Sequence, residues 1–318
     1  MSGRSTFTRS KSRAMAYLAK NSRDLMEILE DDFFPLKTAI TNEVTRGHYR
    51  RAVRWLGELL GRPARVADLS DDNLARLLRW LQEIRGQGPA TANTSHKNLC
   101  ALWRWLHNRG VVATGPTVAA LRTPERAPRA WREDELAKLL NAARTSPGSI
   151  GGLPARVWWL ALFALEWDTG CRASELLALR WEWLDWERGW LTVPAEYRKG
   201  QRRDGVYGLL PDTLGYLGQI RRPTGLILGW ERDRSRYWQL WSGLLDRAGL
   251  PNDRRTKTQC LRRTFATYLQ LGGGDASAAC GHSSPSITRE HYLDPTLTTR
   301  RHGEAMPFRL LGLGSEAG

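Results

Sequence analysis

Gly281-His282-Ser283-Ser284-Pro285-Ser286-Ile287-Thr288-Arg289-Glu290-His291-Tyr292 puts a tyrosine ten residues after a Gly-His pair, near the end of a 318-residue chain. Upstream stand Leu261-Arg262-Arg263-Thr264-Phe265-Ala266-Thr267 and, further back, Thr169-Gly170-Cys171-Arg172-Ala173-Ser174-Glu175-Leu176. The stretch from Gln259 to Tyr292 reads as helical, with glycine breaks at Gly272-Gly273-Gly274 and at Gly281. Two separated arginines and an imidazole are suited to gripping a phosphate, and a phenol can attack one.

The wider composition agrees with an anionic partner. Lysine and arginine number 48 against 33 acids, a formal charge of +15, so binding to a polyanion is expected and should weaken with salt. Charge alone would serve DNA, RNA or anionic lipid, so the motifs must choose among them. Cys100, Cys171, Cys260 and Cys280 are far apart and form no C-x-x-C pair, which suggests neither a zinc ribbon nor a disulfide framework and fits a reducing cytoplasm. No apolar run is long enough to span a bilayer, and the N-terminus lacks the apolar core of a secretory signal. Met1 to Lys20 is Ser/Arg-rich without acids; residues 1–34 are read as a flexible basic arm. Most of the fifteen tryptophans, including Trp158, Trp159, Trp181 and Trp190, sit in apolar runs and are expected in the core.

Tyr49, Val53, Leu56 and Leu60 recur at helical spacing before Gly61, a candidate left-handed cap. Ser70 is placed to cap a second helix bearing Leu74, Leu77, Leu78 and Leu81, which Gly86-Gln87-Gly88-Pro89 ends. Thr91 starts a third, with Leu99, Leu102, Trp103 and Leu106 inward. Residues 35–120 are thus a small helical bundle. Arg50, Arg51, Arg54, Lys97 and Arg104 lie on or beside its helices and are candidate phosphate contacts. Residues 121–132, with two prolines and no periodicity, read as an extended linker.

From residue 133 to 300 the pattern is helical except for Trp190-Leu191-Thr192-Val193 and Val206-Tyr207-Gly208-Leu209-Leu210, two strands flanking the polar segment from Tyr197 to Gly205. The run from Val157 to Trp167 is long enough to be a buried helix, and Gly170 breaks it. Residues 301–318 form a tail. The fold class is therefore mainly α, with an α-rich second domain carrying a small antiparallel sheet.

In five separate blocks, taken in order, the chain resembles the tyrosine recombinases of the phage integrase family over residues 35 to 300. The resemblance implies a SAM-like core-binding domain, a catalytic domain of the DNA breaking-rejoining fold, and a two-sided clamp on the duplex. In Thr169 to Leu179, Arg172 matches the first catalytic arginine, with Glu175 one turn on and placed to orient the other site groups. In Tyr197-Arg198-Lys199-Gly200-Gln201-Arg202-Arg203, Lys199 matches the hairpin lysine that protonates the leaving 5′-oxygen; Arg198, Arg202 and Arg203 lie alongside as DNA contacts. The third block departs from the pattern: the family's His-x-x-Arg is Gln259-Cys260-Leu261-Arg262 here. Arg262 fits the second arginine, while Gln259 can donate a hydrogen bond but has no proton to exchange near neutral pH. His282 and Tyr292 complete the set as phosphate ligand and nucleophile.

The resemblance implies attack by Tyr292 to give a 3′-phosphotyrosine and a free 5′-hydroxyl, with Arg172, Arg262 and His282 supplying positive charge, and with neither metal nor other cofactor. Double-stranded DNA is the expected partner, in a tetramer on two sites, in the cytoplasm with the nucleoid. Two rival readings stay open: a weakened relative that binds DNA without cutting it, for which Gln259 speaks, and a relaxing enzyme of the type IB topoisomerase kind.

Overall fold

The computed structural model describes residues 22–198 and 203–299. Contacts divide the chain into two units that meet at residues 125 and 126.

In the first unit, helix α1 covers residues 25–36 and winds as a π-helix over Ile28–Phe33. Asp24 caps it, accepting from the Met26 N–H at 2.6 Å, and Leu25, Ile28, Leu29 and Phe33 are buried. This departs from the flexible arm expected over 1–34: the acidic run Glu30-Asp31-Asp32 looks solvated in sequence, yet it is only the outer face of a helix whose other face enters the core. Residues 1–21 lie outside the described residues. Helix α2, Glu43–Leu60, ends at Gly61 with φ 68°. Ser70 caps α3, Asp71–Glu83, through the Asn73 N–H. Helix α4 spans Pro89–His107, two residues earlier than the expected Thr91, because Pro89 is at home in a first turn. The leucines named above close the core of this bundle, joined by Phe33 and Trp105 ring to ring.

The second unit is built on α6, Ala155–Thr169, which is apolar on nearly every side and so buried. Around it pack α5, Glu133–Arg144, α8, Pro211–Gly218, α9, Arg234–Ala248, and α10, Gln259–Leu271. Short α7, Ala173–Leu176, follows α6 after a sharp break. Trp158 and Trp241 are fully buried and each satisfies its indole N–H on a backbone carbonyl, of Leu228 and Thr256 respectively. A hairpin of β1, Ser149–Ile150, and β2, Leu153–Pro154, precedes α6. The main sheet has the order β3-β4-β5, all antiparallel, from Leu184–Asp185, Trp190–Val193 and Gly205–Gly208. Along β4 burial alternates, with Leu191 and Val193 inward; Trp190 is therefore 48% exposed, correcting its expected place in the core. The chain closes with α11, Ala276–Ala279, α12, Pro285–His291, and α13, Pro295–Thr298. Among the described residues no helix is long and apolar enough to cross a membrane.

Candidate active site

Arg172 is the N-cap residue of α7, in extended backbone, and Glu175 holds it at both ends: the carboxylate accepts from the Arg172 N–H at 3.1 Å and from its guanidinium at 3.0 Å. Glu175 is 3% exposed, so Arg172 is aimed by a carboxylate that cannot swing away.

Gly170, just before it, ends α6 in the left-handed region at φ 55°. A Cβ there would lie 2.3 Å from the Phe265 ring, so only glycine lets α10 approach this closely. Arg262 on α10 uses that proximity. Its guanidinium donates to the Gly170 carbonyl and, at 2.6 Å, to the Cys280 carbonyl. The side chain is 2% exposed. Burial works to lower its pKa, but the surrounding Cys280, Tyr292 and Glu175 outweigh it and hold Arg262 charged.

Arg262 also reaches His282, with Nη2 3.3 Å from the imidazole Nε2. Arginine can only donate, so Nε2 accepts, and Nδ1 carries the proton toward Thr288 Oγ1 at 2.7 Å. Burial, then Arg262, Arg172 and His291, depress the His282 pKa to about 4. The imidazole is thus neutral at pH 7, which corrects the expectation that it stands as a fixed positive charge. Thr288, buried on α12, was not legible as a partner, because nothing in the sequence marks a contact across a proline-initiated helix.

Tyr292 is the C-cap residue of α12. Its ring packs on His282 with centroids 4.1 Å apart and lies 5.4 Å from the Arg262 guanidinium carbon. Its backbone carbonyl accepts from Thr267 on α10 at 3.3 Å, which ties the helix carrying the tyrosine to the one carrying the arginine. Gln259 stands one turn before Arg262 on α10, and its Nε2 donates to the Tyr292 hydroxyl at 3.0 Å. The structure therefore brings Gln259, Arg262, His282 and Tyr292 into mutual contact, with Arg172 on the loop that Arg262 pins. Lys199 and Arg202 lie outside the described residues.

The other expected contacts divide. Arg54, Lys97, Arg104 and Arg203 are exposed. Arg50 is instead held in ion pairs with Glu30 and Glu43, and Arg51 donates to His48 at 2.7 Å and sits over the Trp55 ring. Arg198 is folded back on its own hairpin.

No family model matches the chain. Tyrosine recombinase XerC of Neisseria meningitidis serogroup C is 29% identical over 210 residues, covering 63% of this chain and 67% of the relative. In sequence the chain is similar to the tyrosine recombinases. Two solved structures share the fold of this chain: a lambda integrase tetramer bound to a Holliday junction, at TM-score 0.65 and 20% identity over 89% of this chain and 82% of that one, and the Tn1549 transposon integrase in complex with transposon right end DNA, at 0.65 and 14% over 86% and 94%. The mainly helical architecture with small antiparallel sheets is the one they have.

Proposed function

We propose that this chain cuts and rejoins double-stranded DNA at specific sites through Tyr292, with Arg172, Arg262, His282 and Gln259 around the phosphate and Lys199 as the acid. The observation that carries the reading is the Tyr292 hydroxyl, held by Gln259 beside buried Arg262 and half-buried His282. In the forward step the phenolic oxygen bonds to phosphorus as the bond from phosphorus to the 5′-oxygen breaks. The phenol's proton passes to water, which reaches the exposed Gln259 beside it, while the imidazole, its Nε2 already accepting from Arg262, stays neutral. The departing 5′-oxygen takes a proton from Lys199, leaving a 3′-phosphotyrosine and a 5′-hydroxyl. Attack by another strand's 5′-hydroxyl reverses these steps, and the ester itself retains the bond energy.

The name of the relative supports recombination over simple relaxation or binding without cleavage. The lambda integrase assembly is a tetramer on a Holliday junction, and a tetramer on two DNA sites is the proposed working form here. Residues 133–300 would carry the chemistry and the exposed Arg54, Lys97 and Arg104 of the first unit would grip phosphates, in the cytoplasm with the nucleoid. A nicked suicide substrate tests the reading: the wild type should give an SDS-resistant adduct and Tyr292→Phe none, with DNA affinity kept. Adduct from the variant would assign the nucleophile elsewhere.

A further inference from the structure

Arg198 precedes Lys199, and its charge suggests one more phosphate contact, but its hydrogen bonds point inward. Nη1 donates to the carbonyls of Arg203, at 3.1 Å, and Asp204, at 2.9 Å, across the neck of the β4–β5 connection. Nη2 donates to the Tyr207 hydroxyl at 3.2 Å. Nε is shut from solvent without a partner. Four of the five N–H groups that arginine could turn to a phosphate fork are thus engaged or enclosed.

Two glycines make room for this arrangement. A Cβ on Gly205 would lie 2.9 Å from Nε and 2.8 Å from the Tyr207 hydroxyl, and one on Gly281 would lie 3.1 Å from Nη2. The guanidinium therefore fills the space between the base of the hairpin and the turn that carries His282, at one wall of a cleft also lined by Thr169 and Phe265. Tyr207 in turn lies against the Cys171 thiol, next to Arg172.

We infer that Arg198 is a positioning residue: it fixes the root of the hairpin, and so the departure point of Lys199, against the Gly281–His282 turn. The inference rests on the recombinase reading above and on the acid role given to Lys199. It does not bind DNA phosphate.

Full-length Arg198→Ala and Arg198→Lys test it. Single-turnover cleavage of a nicked substrate at saturating DNA should fall about 100-fold in both, the scale on which a misplaced catalytic group is felt. Lysine cannot rescue, because one ammonium cannot span two carbonyls and the tyrosine hydroxyl. With sulfur in place of the 5′-bridging oxygen, a leaving group that needs no proton, both variants should return close to the wild-type rate. The salt dependence of binding should be unchanged. A salt slope flattened by about 0.9, the mark of one lost phosphate contact, overturns the inference, as does an equal loss on the oxygen and sulfur substrates. Tyr292→Phe is run in parallel. If the wild type makes no tyrosine-dependent adduct, the recombinase reading fails by itself. Amide exchange in Gly205–Gly208 then decides the strut: faster exchange in Arg198→Ala upholds it, and unchanged exchange overturns it.

Discussion

Gln259 stands where the tyrosine recombinases that the chain resembles have histidine, and its replacement separates what the amide does from what an imidazole would do. In Gln259→Ala the Tyr292 oxygen loses the N–H donated at 3.0 Å. Gln259 is exposed at the start of α10, so water can reach both groups. The loss is then that of an ordinary hydrogen bond, about 0.5–1.5 kcal/mol, or roughly 2- to 13-fold in rate. Gln259→His keeps a donor but introduces a group that titrates near about 6.5. The wild-type site has no such group, since His282 is pushed down to about 4. Single-turnover cleavage across about pH 5.5 to 7.5, one unit either side of that value, should therefore be flat between 6 and 7 for the wild type and sloped for Gln259→His. Rates come from adduct on SDS gels. An alanine variant at the wild-type rate, or a flat profile for Gln259→His, would sink the assignment of this hydrogen bond to the reaction.

Arg172→Ala or Arg262→Ala should raise the cleavage barrier by about 2.7–4 kcal/mol, as loss of a preorganised donor does. Arg262→Ala should also lower the melting temperature, since it strips the donors from the Gly170 and Cys280 carbonyls. Lys199→Ala should be slow on ordinary DNA and recover on the 5′-bridging sulfur substrate; without recovery the acid lies elsewhere. His282 has a folded pKa of about 4 against an ordinary 6.5. The unfolded chain therefore takes up the proton first, and stability should fall as pH drops from 6.5 toward 4. Thermal melts of His282→Asn should lack that component. Lys97→Ala and Arg104→Ala should each flatten the salt slope of DNA binding by about 0.9, whereas Arg50→Ala, already tied to Glu30 and Glu43, should leave it unchanged.

The helices of the first unit were legible because their punctuation is local: Ser70 caps, Gly61 stops, and leucines between them keep one face. Residues 25–36 were missed because three consecutive acids hide a buried stripe. The two-residue strands β1 to β3 are too short to show any period. In the site, Arg172, Arg262, His282 and Tyr292 could be singled out because their order and spacing are unusual. What they touch could not be read in the same way. The neutrality of His282 depends on burial and on arginines 20 and 110 positions away in the chain, and its partner Thr288 carries no sequence mark. The ion pairs of Arg50 likewise join α2 to a segment read as unstructured.

Arg262 differs from Tyr292 in what its loss would do to the rest of the molecule. Its guanidinium spans the end of α6 and the end of α11 by way of two backbone carbonyls, so it belongs to the architecture as much as to the chemistry. Of the Tyr292 contacts phenylalanine would lose only the hydrogen bond from Gln259, since it fills the same volume and keeps the ring packing on His282. Under relaxed selection the two residues therefore face unequal fates. A descendant that no longer recombines DNA would shed its tyrosine hydroxyl first and keep the arginine, so an intact clamp in a related sequence testifies to folding and only the phenol testifies to activity.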